Sequence, residues 1–172
     1  LLRAIPSGLD VAFVTQDLKM RHNSELANDY GNLLMRVIKL AMKKCGSDFL
    51  AAGMAGEFDF LKLGDKMHEA MENREHHRAL EILWGGVNEV NLYLNDRAPW
   101  KMDGSDPQFK ETIYNALYGI HCFGVLVSPF MPEVGQKTLS FLGVKSADLA
   151  GLGFGKQDYH LVEPGVLFPK ID

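Results

Sequence analysis

The stretch that decides the fold is Ser24–Met42, SELANDYGNLLMRVIKLAM. At about 100° per residue, Leu26, Tyr30, Leu33, Leu34, Val37, Ile38 and Ala41 share one broad face, which predicts a helix with that face buried. Asn28, Asn32 and Arg36 recur at i, i+4 and i+8 and stack in a line on the opposite side. At about 1.5 Å rise per residue, neighbours in that line are about 6 Å apart. Two amides and a guanidinium at this interval offer directed donors and acceptors at a spacing close to that of nucleotide bases. Glu25, Lys39 and Lys43 lie on the same side, so by itself the line also fits a solvated face.

Around this stretch the composition is that of an ordinary globular domain. The 172 residues are 47% hydrophobic and 23% charged, with a net charge of −4, enough chain for one sizeable core. The acidic balance argues against a non-specific nucleic-acid binder, which carries a large basic excess. It leaves room for a domain that reads a few bases. Cys45 and Cys122 match no metal spacing and read as two free thiols in a reducing compartment. No signal peptide and no membrane-length apolar run is visible. The opening LLRAIP and the strand-like close both read as cut from something longer.

The helical pattern of the opening stretch extends from an N-cap at Thr15, with Asp17 in the first turn, to about Lys44, in two parts around His22–Ser24. Gly46 suits the position just past its end. Pro6–Asp10 reads as a break and turn, and 47–57 as an Ala/Gly-rich loop. A second helix is predicted over Phe58–Glu72, with Phe60, Leu61, Met67, Ala70 and Met71 as its apolar set. A third spans about Glu75–Leu94, with Leu80, Leu83, Trp84, Val87, Val90 and Leu94 inward. Gly85-Gly86 within it costs about 1 kcal/mol per glycine and points to close approach of a neighbouring helix backbone. Pro99 is expected to hold Ala98 extended and stop the helix.

Asp106-Pro107 is a strong helix start. The pattern after Ile113 is apolar nearly all round to Val127, which marks the central helix. Pro132 opens another helix, stopped at Gly143. Ala150–Gly155 reads as flexible, and Tyr159–Ile171 as two short strands joined at Pro164-Gly165. The sum is an all-α bundle of about five helices with a short extended C-terminal segment. The organisation expected is a connection over 1–14, a helical domain over 15–156 and the extended segment over 157–172.

Catalytic motifs are missing. His68-Glu69 begins an H-E-x-x-H pattern whose second His is absent, and His76-His77 read as solvated. Gly151–Gly155 lacks the strand before it and the Lys-Ser/Thr after it that a phosphate loop needs. Trp84 belongs to an apolar face. Trp100 follows a helix end and a proline, beside Lys101. It reads either as a plug folded onto the bundle or as a stacking platform for an unpaired base, worth about 1–3 kcal/mol.

These segments together resemble the anticodon-binding domain of methionyl-tRNA synthetase, a class I aminoacyl-tRNA synthetase. The resemblance is carried by Asn23-Ser24-Glu25-Leu26-Ala27-Asn28-Asp29-Tyr30-Gly31-Asn32-Leu33, by Asn91-x-Tyr93, by Ala98-Pro99-Trp100-Lys101, by Ser128-Pro129-Phe130-Met131-Pro132 and by Leu167-Phe168-Pro169-Lys170-Ile171. LLRAIPSGLDVAF looks like the connection from a catalytic part.

The resemblance implies recognition of the CAU anticodon of methionine tRNA. Asn32 and Arg36 fall on positions that hydrogen-bond the first anticodon base, and Trp100 on the aromatic that stacks against it. Asn28 is a weaker candidate one turn earlier. It further implies a full-length cytoplasmic or organellar ligase whose catalytic domain, absent here with its H-I-G-H-like and K-M-S-K-S-like signatures, handles ATP and methionine and carries any zinc. No cofactor or membrane partner is expected for these residues, and the fragment alone should be inactive. Two alternatives stand beside it: the anticodon domain of another class I synthetase, and a helical protein-interaction module.

Overall fold

The computed structural model describes residues 2–3, 14–51, 56–144 and 157–172. The expected turn at Pro6–Asp10, nearly all of the 1–14 connection and the stretch Ala150–Gly155 lie outside them. From Thr15 to Cys45 the backbone is helical without a break but not of one kind. Helix α1, Thr15–Arg21, passes into a π-helical segment, His22–Gly31, and then into α2, Asn32–Cys45. The expected N-cap at Thr15 is displaced: Thr15 is already helical, and the extended Val14 before it makes no side-chain cap.

The π register was not expected. The Asn32 N–H bonds the carbonyl of Ala27, five residues back, a geometry rare in helices and seldom longer than one turn. Helix α4 supports it. The Trp84 indole N–H donates to the Glu25 carbonyl at 3.2 Å, and the Asn91 amide to the Asp29 carbonyl at 3.1 Å. The apolar face behaves as its spacing requires: Tyr30, Leu33, Leu34, Val37, Ile38 and Ala41 are buried, and Leu26 packs at the margin. Gly46 ends α2 at φ 86°, in the region that favours glycine.

Helix α3, Phe60–Glu72, is capped by Asp59, whose carboxylate accepts the Lys62 N–H at 3.0 Å. Phe60, Met67 and Ala70 are buried, but Leu61 is 53% exposed and leaves the expected apolar set. Helix α4 runs His76–Arg97 and buries every inward residue expected of it. Its glycine pair divides. A Cβ on Gly86 would lie 2.6 Å from Leu63 Cδ1 and 3.1 Å from the Phe123 ring, whereas Gly85 faces open space. The close neighbours are side chains, not the backbone that the pair suggested.

Helix α5, Pro107–Val127, begins as its sequence indicates, with the Asp106 carboxylate accepting the Gln108 N–H at 2.8 Å. Every residue from Thr112 to Val127 is buried, and α2, α3, α4 and α6 pack around it. Helix α6 spans Pro132–Phe141, and Gly143 follows at φ 70°. With Thr15–Cys45 taken as one rod, five helices form the bundle among the described residues, and it is the all-α bundle expected. None of these helices is long and apolar enough to cross a membrane.

The C-terminal segment departs from its expected hairpin. Strand β2, Tyr159–His160, pairs antiparallel with β1, Asp48–Phe49, inside the stretch read as a loop. Pro164-Gly165 makes no turn between strands. The partners lie 112 residues apart, so no local pattern announces them. Beyond β2 the chain crosses to the π segment. Phe168 packs on Tyr30 and His22, and Asn23 exchanges two hydrogen bonds with the Ile171 backbone.

Candidate nucleic-acid interface

The first rod and α4 lie side by side, and between them runs an open groove of about 570 Å³ lined by Asn28, Asn32, Met35, Arg36, Lys39 and Asn91. The i→i+5 turn before Asn32 takes Asn28 off the strict α-helical line, yet all three residues of that line reach the same groove. Asn28 and Asn32 are exposed and Arg36 is half-buried. Lys39, expected on a solvated face, pairs at the rim with Glu163 at 3.6 Å.

Arg36 is held by two side chains of α4. Its guanidinium donates to the Asn91 side-chain oxygen at 3.1 Å and to that of Asn95 at 3.3 Å. Asn91 is itself oriented, because its amide donates to the Asp29 and Val87 carbonyls. Two of the five guanidinium N–H groups are thereby used, and three remain for a ligand. Burial lowers the guanidinium pKa from its ordinary value, which leaves an arginine charged at neutral pH.

The Arg36 guanidinium carbon also lies 5.7 Å from the centre of the Trp100 ring, within cation–π range. Trp100 stands on a 3-10 turn, Pro99–Lys101, at the end of α4. Pro99 is buried beneath it, while the indole is 43% exposed, which suits a platform better than a plug. The turn is reached through Ala98, which is not extended as expected but left-handed, at φ 47° and ψ 53°. Its N–H closes the last turn of α4 on the Leu94 carbonyl at 2.9 Å. A left-handed residue after a helix end is the usual way to reverse the chain, and here it outweighs the proline's preference.

The structure therefore brings Asn28, Asn32 and Arg36 to one groove and sets Trp100 against Arg36. Asn95, and the part Asn91 plays in ordering Arg36, were missed. The available signal was their own i, i+4 spacing on α4, which repeats that of Asn28 and Asn32. Elsewhere, His68, Glu69 and Glu72 are exposed, and His76 and His77 are half-buried rather than solvated. Among the described residues no three His, Cys, Asp or Glu side chains gather as a metal site. Cys45 and Cys122 are free thiols, and burial pushes the Cys122 thiol up to about 12.

A family model for the anticodon binding domain of methionyl tRNA ligase matches residues 57–172. The methionine–tRNA ligase of Caldanaerobacter subterraneus subsp. tengcongensis is 32% identical over 186 residues, covering 100% of this chain and 29% of that protein. The Lactococcus lactis enzyme is 31% identical over 185 residues, covering 100% of this chain and 28% of that protein. The chain thus spans under a third of the length of these relatives. Among solved structures, free Mycobacterium tuberculosis methionyl-tRNA synthetase superposes with a TM-score of 0.87 at 25% identity, over 99% of this chain and 37% of that one. The same synthetase bound by methionyl-adenylate gives 0.86 at 25% identity, over 98% and 36%.

Proposed function

The chain belongs to the family of methionyl-tRNA ligase anticodon-binding domains, and from that membership we propose that it reads the CAU anticodon of methionine tRNA at the groove beside Trp100. Asn32 and Arg36 hydrogen-bond the first anticodon base, cytosine, and Trp100 stacks on it; Asn28, which lines the same groove one turn earlier, is the weaker candidate. The observation that carries this reading is Arg36, which lines the groove and lies against the Trp100 ring.

Anticodon bases are unpaired, so their Watson–Crick edges are open to side chains. Cytosine presents acceptors at O2 and N3 and an amino donor. Arg36 has only donors and suits the acceptors, while Asn32 can both accept and donate. Uracil would set its N3–H against the guanidinium, donor against donor, a mismatch worth about 1–3 kcal/mol by analogy with base readout in duplexes.

The whole protein on this reading is a cytoplasmic or organellar methionine–tRNA ligase. Residues 1–14 connect to its catalytic domain, 15–156 are the anticodon-binding domain, and the extended segment 157–172 packs back on the bundle or on the catalytic domain. ATP and methionine, with any zinc, are handled by the catalytic domain, and the 172 residues alone do not activate methionine.

In the full-length enzyme, Trp100→Ala and Arg36→Gln should each lower kcat/KM for methionine tRNA by about one to two orders of magnitude. Methionyl-adenylate formation, followed by pyrophosphate exchange, should hold. An equal loss of both activities would reject the recognition role.

A further inference from the structure

The turn that carries Trp100 has little of its own to hold it: three residues and the backbone bonds from Lys101 to Ala98 and from Met102 to Pro99. Beyond the packing of the buried Pro99 and its contact with α5, the turn is held by polar bonds from the last turn of α2. The Lys44 ammonium reaches the carbonyl oxygens of Pro99 at 3.4 Å, of Trp100 at 3.3 Å and of Met102. A lysine has three N–H donors and no acceptor, so three carbonyls match its full complement. The ammonium lies 5.1 Å from the centre of the Phe109 ring, which floors the cup.

The far end of the same loop is fastened beside it. A Cβ on Gly104 would lie 2.5 Å from the Lys44 carbonyl oxygen, so only glycine seats there, and the Cys45 thiol donates to the Gly104 carbonyl at 3.5 Å. Two turns earlier on the same helix stands Arg36, whose guanidinium faces the Trp100 ring.

We infer that Lys44 is a positioning residue for tRNA selection. It ties the turn bearing the indole to the helix bearing the guanidinium, and so sets the gap into which a base is received. This rests on the reading of Trp100 as a stacking platform, and Lys44 itself does not touch the base.

The test uses the full-length enzyme. Lys44→Met keeps the stem and deletes the ammonium, Lys44→Arg restores a cation, and Lys43→Met removes the same charge from the exposed neighbour. Lys44→Met should raise KM for methionine tRNA about tenfold, the effect of losing charge-assisted hydrogen bonds, with kcat little moved. Lys44→Arg should recover part of it, and Lys43→Met should not shift it. In a Trp100→Ala background, Lys44→Met should add nothing.

With 5-fluorotryptophan incorporated, the Trp100 fluorine resonance, assigned by its loss in Trp100→Phe, should shift or broaden in Lys44→Met and return toward its place in Lys44→Arg. An unmoved resonance, additive losses in the double variant, or an equal effect from Lys43→Met would overturn the inference. An unaltered tRNA KM in Trp100→Ala would overturn the anticodon reading instead, while the resonance would still report on the clamp.

Discussion

Helix α5 and the π segment are both helical, and they are held in opposite ways. Helix α5 closes its own ladder and is enclosed by apolar neighbours on every side from Thr112 to Val127. The π segment buries only Ala27, Tyr30 and Gly31 and is fastened from outside. Trp84 and Asn91 of α4 take two of its carbonyls, and the C-terminal segment clasps His22 and Asn23. Burial of an apolar helix follows from its own residues. A wide helical register follows from donors that reach it from elsewhere.

The largest test of this contrast is the one histidine inside α5. His121 is 3% exposed, with Nδ1 3.4 Å from the Tyr159 hydroxyl. Burial among apolar groups holds its pKa down at about 4, against an ordinary value of 6.5. Between those values the unfolded chain binds more protons than the folded one. Stability contributed by the neutral ring is therefore complete above about pH 6.5 and is lost as pH falls toward 4. The loss should reach up to about 3 kcal/mol, measured by urea unfolding across this range. Subtracting the His121→Gln profile isolates the effect, and coincident profiles would show that α5 is less sealed than its burial implies.

The next test attacks the outside support. Asn91→Ala removes the donor to the Asp29 carbonyl and an acceptor of Arg36 together. A cost of about 1–2 kcal/mol follows from the half-buried partners left unmet. It should appear locally, as backbone hydrogen exchange over residues 25–32 faster by about tenfold to a hundredfold, with α5 slowest throughout. An equal acceleration in both regions would show that the π segment opens only with the whole bundle.

The same contrast explains what could be read before the fold was known. The inward faces of α2 and α4, the Asp106-Pro107 start and the sealed run of α5 each rest on periodicity or a local cap, and each appears where its residues put it. The π register and the pairing of β1 with β2 rest on partners remote in sequence, and the left-handed Ala98 on a helix-end reversal that outweighs the proline's preference. At the groove, Asn28, Asn32 and Arg36 were visible as a line on one helix, and Trp100 as an indole after a helix-stopping proline. That Arg36 is ordered by Asn91 and Asn95 was not visible, because those contacts join residues 55 and 59 positions apart. The Lys44 clamp was hidden for the same reason.

The smallest test sits at Ala98, where an internally closed helix meets an externally clasped turn. Its N–H still belongs to the α4 ladder, while the carbonyls just beyond it belong to Lys44. A left-handed L-residue costs about 1–2 kcal/mol, and Ala98→Gly removes that cost. The glycine also loosens the unfolded chain, which returns about 0.4–1 kcal/mol. The variant should therefore be more stable by about 0.5–1 kcal/mol, read as a small rise in the thermal midpoint. Because Lys44 still fixes the turn, KM for methionine tRNA should not change. A rise in KM with stability gained would mean that Ala98 itself helps aim Trp100, and that the clamp from α2 is not sufficient to hold the indole.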